Sequence, residues 1–401
     1  MWTQLPRAIP EVVVPPYFSP STFRVLAECP LAVLATREHR LHLPPRPLAL
    51  LGTILHHVVA EIGDGRWPDA DGPRAAYNEL LRVTVAAAEA HLITKGWGRL
   101  VPLERSVGQQ VWAERVCRAR RWVVRDAPER SVGPPRPLAL DAPGADSGSA
   151  EPFVGSGREA LIVWPAGRIR GRADRVERDA GTPTRVFDYK SGGFESEQLR
   201  RAGSIQLGLY GLAIEAVVGG DIELVIEGDE RVELPWAETS ARARAALDEA
   251  TSLFPLGARL SAEALARPGL HCRFCELRPA CAVYLRDAPA LWGDAVLGGR
   301  MPLDVWGIVR SSELADGLVH MEVKDASGCL VVVQRLAWEG EFAPPAAGQC
   351  VYLFDLLADE VPLHAERRRP VNLRDQPRPG ASIRQPAWGF RGFFGANGAT
   401  G

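Results

Sequence analysis

Lysine is almost absent from this chain. Only three of the 47 basic side chains are lysines, namely Lys95, Lys190 and Lys324. None of them follows the glycine that a Walker A loop requires, which excludes ATP hydrolysis by such a phosphate-binding loop. A lysine is nevertheless kept in Asp188-Tyr189-Lys190. A deprotonatable amine and a permanently charged guanidinium have different chemistry, so this lysine is a candidate functional residue.

Long apolar runs and a secretory signal are also lacking. No stretch approaches the roughly 18 apolar residues of a membrane-spanning helix, and residues 1–16 have no basic cluster followed by an apolar run. Seven cysteines are an odd number, so a disulfide framework is not expected. We therefore expect a cytoplasmic protein that does not enter a membrane. The net charge is only −2, but arginines crowd at residues 115–125, 168–175 and 367–369, as nucleic-acid-binding surfaces require.

The chain divides into parts of different periodicity. Residues 1–126 are predicted to be mainly helical, and residues 127–158, rich in Pro, Gly, Ser and Ala, to be a flexible insertion. Strand-type alternation followed by helices predicts an α/β core with a cysteine-bearing segment over residues 159–290. Residues 300–370 are expected to form a small all-β domain and residues 376–401 a disordered tail.

Two strand-like segments, residues 168–177 and 185–190, carry a charged constellation. Pairing them about their turn puts Asp174 opposite Asp188, and strand alternation places Lys190 on the same face. Opposed carboxylates about 5 Å apart destabilise a hairpin, unless a divalent cation such as Mg²⁺ or Mn²⁺ lies between them. Lys190 would then orient or deprotonate an attacking water. The alternative, a surface hairpin of mixed charge, is the commoner case for an isolated Asp-x-Lys.

Two further motifs lie outside this hairpin. His56 follows Gly52 by four residues near the start of a predicted helix, and His57 is its neighbour. A lone histidine is more often structural than a metal ligand. Gln206 and Tyr210 are four residues apart, and so share one face of the helix after the hairpin.

The order Gly-x-x-x-His, Gly-x-x-Asp-Arg, Asp-Tyr-Lys-Ser-Gly, Gln-x-x-x-Tyr resembles the RecB-like branch of the PD-(D/E)XK nucleases over roughly residues 17–285. The resemblance implies an α/β core, a mixed central sheet flanked by helices, and metal-dependent hydrolysis of DNA by exo- or endonuclease action. It also implies that a glutamine and a tyrosine line the substrate channel and that a lysine acts on water. The implied Mg²⁺ or Mn²⁺ ligands are His56, Asp174, Asp188 and the carbonyl of Tyr189; Lys190 is the implied catalytic lysine, and Gln206 and Tyr210 are the implied substrate-side residues.

The cysteines form a second constellation. Cys272, Cys275 and Cys281 leave one ligand missing, and by spacing alone a zinc site completed by His271 or by a distant cysteine is as good an interpretation as any. With Cys29, the layout resembles RecB-like nucleases such as the CRISPR spacer-acquisition nucleases and the AddB nuclease domain. That resemblance implies a [4Fe–4S] cluster on the four thiolates, with Zn²⁺ as the less favoured ion. The other cysteines are expected to be buried small apolar residues: Cys117, Cys329 and Cys350.

The strand-rich segment at residues 303–356 resembles an OB-fold, which would bind single-stranded nucleic acid. The expected partner is therefore DNA, single-stranded or with a single-stranded end, in DNA repair or antiviral, CRISPR-type processing. Because the chain lacks an ATPase motif, a separate ATP-driven helicase or other complex subunit would supply unwinding. The competing hypothesis is a catalytically silent DNA-binding scaffold subunit of a helicase–nuclease complex, although the intact residue set argues against it.

Overall fold

The computed structural model describes residues 2–35, 39, 43–126, 134–138, 151–179, 181–190, 197–228, 230–269, 271–272, 275–292, 302–324, 330–337, 343–358, 382–384 and 391–394. The helices are α1 Phe23–Glu28, α2 Pro30–Leu34, α3 Pro47–Gly63, α4 Pro73–Thr94, α5 Leu103–Val107, α6 Gln109–Asp126, α7 Glu197–Val218, α8 Trp236–Leu253, α9 Ala262–Leu265 and α10 Ala282–Trp292. The strands are β1 Trp2–Gln4, β2 Glu11–Val13, β3 Phe153–Val154, β4 Gly157–Trp164, β5 Ile169–Glu177, β6 Thr184–Tyr189, β7 Ile222–Glu227, β8 Arg231–Leu234, β9 Arg259–Ser261, β10 Pro302–Ala315, β11 Leu318–Lys324, β12 Leu330–Ala337, β13 Cys350–Ala358, β14 Ser382–Arg384 and β15 Arg391–Phe394. Within these residues, no helix is long and apolar enough to cross a membrane.

A six-stranded mixed sheet forms the centre of the α/β part, in the order β3-β4-β5-β6-β7-β8. Its neighbouring strands are antiparallel except β6 and β7, which are parallel and are connected through α7. A parallel pair needs a crossover of this kind, whereas a tight turn suffices for antiparallel strands. The mixed central sheet predicted from the sequence is confirmed.

Helices cover the sheet with two apolar cores. One core joins the strands to α1, α2, α7 and α8, and the other is built from α3 to α6. Side chains alternate along β6, so that Asp188 meets Gln206 of α7, while the Tyr189 ring packs on Trp122 of α6 with 5.2 Å between ring centroids. The end of β6 thus presents a carboxylate to one layer and an aromatic ring to the other.

Single residues end several helices. Cys29 separates α1 from α2 in an extended conformation, with φ −152° and ψ 99°, because a residue before proline disfavours the helical region. The sequence of residues 104–125 predicts one helix, but Gly108, at φ 94°, divides this run into α5 and α6. Glycine adopts this left-handed backbone without steric cost.

The C-terminal strands form a second sheet, in the order β1-β15-β13-β10-β11-β12-β14. Strand β14 pairs in parallel with β12 and antiparallel with β13, so β10, β11, β12, β14 and β13 close into a ring. Its buried side chains include Val309, Met321 and Leu353. The N-terminal strand β1 joins this sheet by pairing with β15.

The sequence-based boundaries differ from the structure in two places. Strand structure begins at Phe153, inside the predicted insertion over residues 127–158, because a two-residue strand carries no readable period. Two segments of the predicted disordered tail, β14 and β15, are strands, stabilised by pairing with distant partners rather than by local pattern. Residues 325–328, where the sequence Asp-Ala-Ser-Gly predicts a hairpin turn, lie outside the described residues.

A buried polar network joins the cysteine-bearing segment to the second sheet. Arg278 is 1% exposed and donates from Nη1 to both carboxylate oxygens of Asp304 on β10, at 2.9 and 2.8 Å. The Tyr284 hydroxyl donates to Asp304 Oδ2 at 2.6 Å, and Arg278 Nε donates to the Cys275 carbonyl at 3.0 Å. Buried charges are tolerated only with such complete pairing, so this network fixes how the second sheet seats on the cysteine segment.

Candidate metal centre and thiol site

The register of the β5–β6 hairpin brings the two aspartates to the same level. Val176 lies opposite Val186, as the sequence predicts, and Arg175 lies opposite Phe187. The next position in this register is Asp174 with Asp188. Here the strands separate, and the backbone N–H of the residue after Asp188 donates to Asp174 Oδ2 at 2.5 Å.

Helix α3 presents a histidine to this carboxylate. His56 Nδ1 lies 3.4 Å from Asp174 Oδ1. Burial lowers the pKa of His56, but the charge and hydrogen bond of Asp174, together with the charges of Glu159 and Asp188, raise it to about 9. Burial raises the pKa of Asp174, whereas His56 and the Tyr189 N–H lower it, so that this carboxyl lies below its usual value. His57, the alternative candidate, pairs instead with the backbone of Arg136.

Asp188 is held between a lysine and a glutamine. Lys190 Nζ lies 2.9 Å from Asp188 Oδ1 and 2.7 Å from Oδ2, and Gln206 Nε2 donates to Oδ1 at 3.4 Å. Asp188 is only 3% exposed. Burial raises its pKa to about 6, with Lys190 opposing and Asp174 adding to the shift.

Tyr210 supports the backbone of β5. Its ring is buried, and its hydroxyl donates to the Arg172 carbonyl at 2.6 Å. A Cβ at Gly171 would lie 2.8 Å from the Tyr210 hydroxyl and 2.9 Å from Pro20 Cδ, which explains the glycine of the Gly-x-x-Asp motif. In this arrangement Tyr210 positions the strand that carries Asp174, and does not line an open channel as the resemblance implies.

Glu159 on β4 is a site residue that the sequence interpretation missed. The β4–β5 register places it opposite Asp174, and its backbone is left-handed at φ 48°. Ligand atoms of His56, Glu159 and Asp174 lie within 4.8 Å of one another, the geometry of a cation site. Burial and the charge of Asp174 raise the pKa of Glu159 to about 7. The four-residue turn at residues 165–168 sets this register.

Tyr189 contributes its side chain to the wall beside this site. Arg158 Nη1 donates to the Tyr189 hydroxyl at 3.2 Å, and the Arg158 guanidinium lies 5.5 Å from the ring centroid. The ring therefore faces away from Asp188. The Tyr189 carbonyl as a metal ligand stays a prediction.

The four cysteines that the resemblance brings together line one cavity, together with Arg278 and Tyr284. Cys29 comes from the break between α1 and α2, and the other three from the segment before α10. Burial raises the pKa of Cys272 to about 11 and that of Cys275 to about 12, and neighbouring thiols add to both shifts. Backbone N–H groups donate to two of the sulfurs, that of Gly269 to Cys272 Sγ at 3.3 Å and that of Tyr284 to Cys281 Sγ at 3.4 Å.

The remaining cysteine residues and His271 lie elsewhere. His271 is not among the described residues that line the thiol cavity, so of the two fourth ligands considered, His271 or a distant cysteine, the cavity contains the cysteine. Cys117 is exposed and Cys350 half-buried, so the prediction that they are buried is wrong; both occupy strand or helix positions that face partly outward. Cys329 lies outside the described residues.

The mixed sheet carries two aspartates and a lysine at the end of the β5–β6 hairpin, with a histidine from α3 beside them, an arrangement that suits a metal-dependent nuclease. A family model described as the PD-(D/E)XK nuclease superfamily matches residues 17–282. The chain belongs to this superfamily, and the matched region contains both the carboxylate site and the four thiols. A search of curated proteins found no match for this chain.

Proposed function

We propose that this chain is a Mg²⁺- or Mn²⁺-dependent deoxyribonuclease of the RecB-like branch, acting on DNA that is single-stranded or has a single-stranded end. The observation that carries the proposal is the convergence of His56, Glu159 and Asp174 within 4.8 Å, beside the Asp188–Lys190 pair. Carboxylate oxygens together with one imidazole nitrogen suit Mn²⁺. They also suit Mg²⁺, which prefers sites with fewer nitrogen ligands. We assign His56, Glu159, Asp174 and Asp188 as ligands.

The residues divide the chemical work between them. A bound divalent cation would neutralise charge on the scissile phosphate. The Tyr189 N–H and His56 hold the Asp174 carboxylate in a fixed orientation. Lys190 Nζ, fixed by Asp188, would orient the attacking water or take its proton. Gln206 bonds Asp188 from α7 and prevents its carboxylate from turning away.

Cleavage assays with matched variants test this active site. Purified protein is incubated with end-labelled single-stranded and duplex DNA, with Mn²⁺ or with a chelator. We expect cleavage that the chelator abolishes, and loss of cleavage in Asp174→Ala and Lys190→Ala. Asp179→Ala, an exposed acidic residue near the turn of the same hairpin, is the control and should cleave normally. Parental rates in Asp174→Ala or Lys190→Ala would overturn the assignment.

For the thiol site we propose a [4Fe–4S] cluster. Tetrahedral zinc with Zn–S bonds of about 2.3 Å holds its sulfurs about 3.8 Å apart. Among the described residues, the cysteine sulfurs do not form a group of three within 4.8 Å, whereas His56, Glu159 and Asp174 do. The four thiols therefore suit a larger group better than a single ion. By linking Cys29 to Cys272, the cluster would close most of the nuclease domain into one loop.

Metal analysis tests the cluster directly. Anaerobically purified protein should be brown and contain about four irons and matching sulfide per chain. Stoichiometric zinc without sulfide would contradict the proposal, and leave the carboxylate site untouched.

We also propose that the C-terminal ring is an OB-type barrel that binds single-stranded DNA. The support is its closure by five strands with one parallel pair, β12 with β14, as in a Greek-key barrel of this kind. Trp306 and Tyr352 lie side by side on it, 6.4 Å apart and nearly parallel, and both are half-buried. Aromatic rings in such barrels stack on bases. In a Lys190→Ala background, Trp306→Ala should weaken oligonucleotide binding several-fold; unchanged binding would argue against this surface.

The pathway and the partner are proposed on chemistry alone. Because the chain lacks a Walker A loop, long duplexes would need a separate ATP-driven helicase or another subunit, in DNA repair or antiviral processing in the cytoplasm. Co-purification of the tagged chain with an ATPase would support this arrangement. The competing function, a catalytically silent scaffold, would gain if DNA binding persists while no divalent metal supports cleavage.

A further inference from the structure

Part of the insertion is tied to the helix that carries His56. Residues Pro134–Leu138, here called the strap, lie within the segment that composition predicts to be a flexible insertion. Leu138 packs against the apolar core of α3 to α6. The strap contacts α3 at its C-terminal half, beyond His56.

A buried carboxylate is the anchor of the strap. Glu61 on α3 is only 1% exposed. The backbone N–H of Arg136 donates to Glu61 Oε2 at 2.8 Å, and Arg136 Nε donates to Oε1 at 2.6 Å. Arg136 Nη2 also lies 3.3 Å from Asp64 Oδ2. A carboxylate in this setting is stable as an anion only with such partners, so the strap is part of the fold of α3.

The same arginine reaches the neighbour of the proposed metal ligand. The His57 ring hydrogen-bonds the backbone of Arg136, and His57 Nε2 is buried with no partner among the described residues. The Arg136 charge also acts on Glu159 across the site. Arg136 thus contacts α3 at His57, directly after His56, and again one turn later at Glu61.

We infer that Arg136 is a positioning residue, which, through Glu61 and the backbone contact to His57, sets where α3 presents His56 to the metal. The inference rests on the proposed function of the carboxylate site. Arg136 makes no hydrogen bond to a proposed ligand; apart from the effect of its charge on Glu159, it acts by holding the helix. The insertion would therefore have a role in metal binding that its composition does not reveal.

The physical effect follows from the rigidity of an α-helix. A shift of α3 by a fraction of an ångström moves His56 relative to Asp174 and Glu159, which sit on strands of the sheet. Groups that orient metal ligands typically change metal affinity or activity by 10- to 100-fold when removed. Metal affinity and kcat should therefore fall, while KM for DNA changes little.

The test compares Arg136 with Arg66, because both arginines pair with the carboxylates of Glu61 and Asp64. Arg66 lies 3.4 Å from Glu61 Oε1 and 2.8 Å from Asp64 Oδ2, but belongs to the chain directly after α3. Mn²⁺ binding is measured by calorimetry on the full chain, with kcat and KM in parallel. We expect Arg136→Ala to weaken Mn²⁺ binding about tenfold, Arg136→Lys to recover part of it, and Arg66→Ala to stay within about twofold of the parent.

A second variant covers the risk that Arg136→Ala fails to fold. Glu61→Gln with Arg136→Met removes the buried charge together with its partner, and should fold while binding Mn²⁺ as weakly as Arg136→Ala. Parental Mn²⁺ affinity in either folded variant would overturn the inference. Absence of Mn²⁺ binding by the parent itself would instead overturn the proposed function of the site.

Discussion

The carboxylate site and the thiol site lie in the same matched region, but they are built in opposite ways. The carboxylate site draws His56, Glu159 and Asp174 from α3, β4 and β5, and gathers them within 4.8 Å. The thiol site joins Cys29 to a segment more than half the chain away, around a cavity. One site gathers carboxylates, and the other would close a long loop once the proposed cluster is bound.

We therefore expect activity to depend mainly on the carboxylate site and stability to depend mainly on the thiol site. Burial and the charge of Asp174 raise the pKa of Asp188 to about 6 and of Glu159 to about 7, so without a cation Asp174 repels both carboxylates. Removing a carboxylate should remove function and spare the fold. Removing a thiol should loosen the fold, because the link between distant segments is lost.

Asp174→Asn should have the largest effect. Cleavage is expected to fall on the order of 10³-fold, because an essential charge-stabilising group is lost. The midpoint of thermal unfolding of the metal-free protein should fall only a little, because the ion pair with His56 is lost while the repulsion of Asp188 and Glu159 is relieved. Initial rates and thermal melts measure the two quantities; a loss of stability as severe as the loss of activity would break the comparison.

Cys29→Ser tests whether the thiol site contributes to the stability of the fold. The long loop between Cys29 and Cys272 would no longer be closed, and the free energy of unfolding should fall by about 5 kcal/mol by loop entropy. Denaturant titration and iron analysis of the same sample provide the readout. Cys117→Ser is the control, since that thiol is exposed. Full iron content in Cys29→Ser would remove Cys29 from the site.

Arg278→Met should disturb the junction between the thiol segment and the second sheet. It leaves the buried Asp304 carboxylate without its cation, which costs about 3–5 kcal/mol. Arg278→Met with Asp304→Leu should recover most of that loss, because no buried charge is left. Hydrogen exchange at β10 locates the effect. An equal loss in the double variant would show that packing, rather than charge, holds the two parts together.

The sequence predicts the parts of this fold that depend on local pattern. The strands β5 and β6, their register, and helices α3, α7 and α8 follow from periodicity and from the turn between the strands. The register in turn brings Asp174 level with Asp188. The cysteines could be grouped by spacing, because Cys-x-x-Cys is a local signal.

The parts that depend on distant pairing could not be read in the same way. Strands β14 and β15 are short and lie in a Pro- and Gly-rich tail, and they are stabilised by β12, β13 and β1. Glu159 stands next to a low-complexity segment, where nothing local distinguishes it from a solvated acidic residue. Arg136 is hidden in the same way, since its partner Glu61 lies 75 residues earlier.

The smallest expected effect is the pH dependence of metal binding, which should be seen at the carboxylate site and not at the thiol site. His56, with a pKa of about 9, is protonated in the metal-free protein at neutral pH, and its pair with Asp174 adds stability that is lost as pH rises through about 9. A metal ion requires the neutral imidazole, so binding releases this proton, and Mn²⁺ affinity should rise up to about tenfold per pH unit between about pH 7 and 9. Below about 7, protonation of Glu159 makes the dependence steeper.

Calorimetry in buffers of different ionisation enthalpy counts the released protons. Iron content at the thiol site should stay constant over this range, and a pH-independent Mn²⁺ affinity would show that His56 is not a ligand.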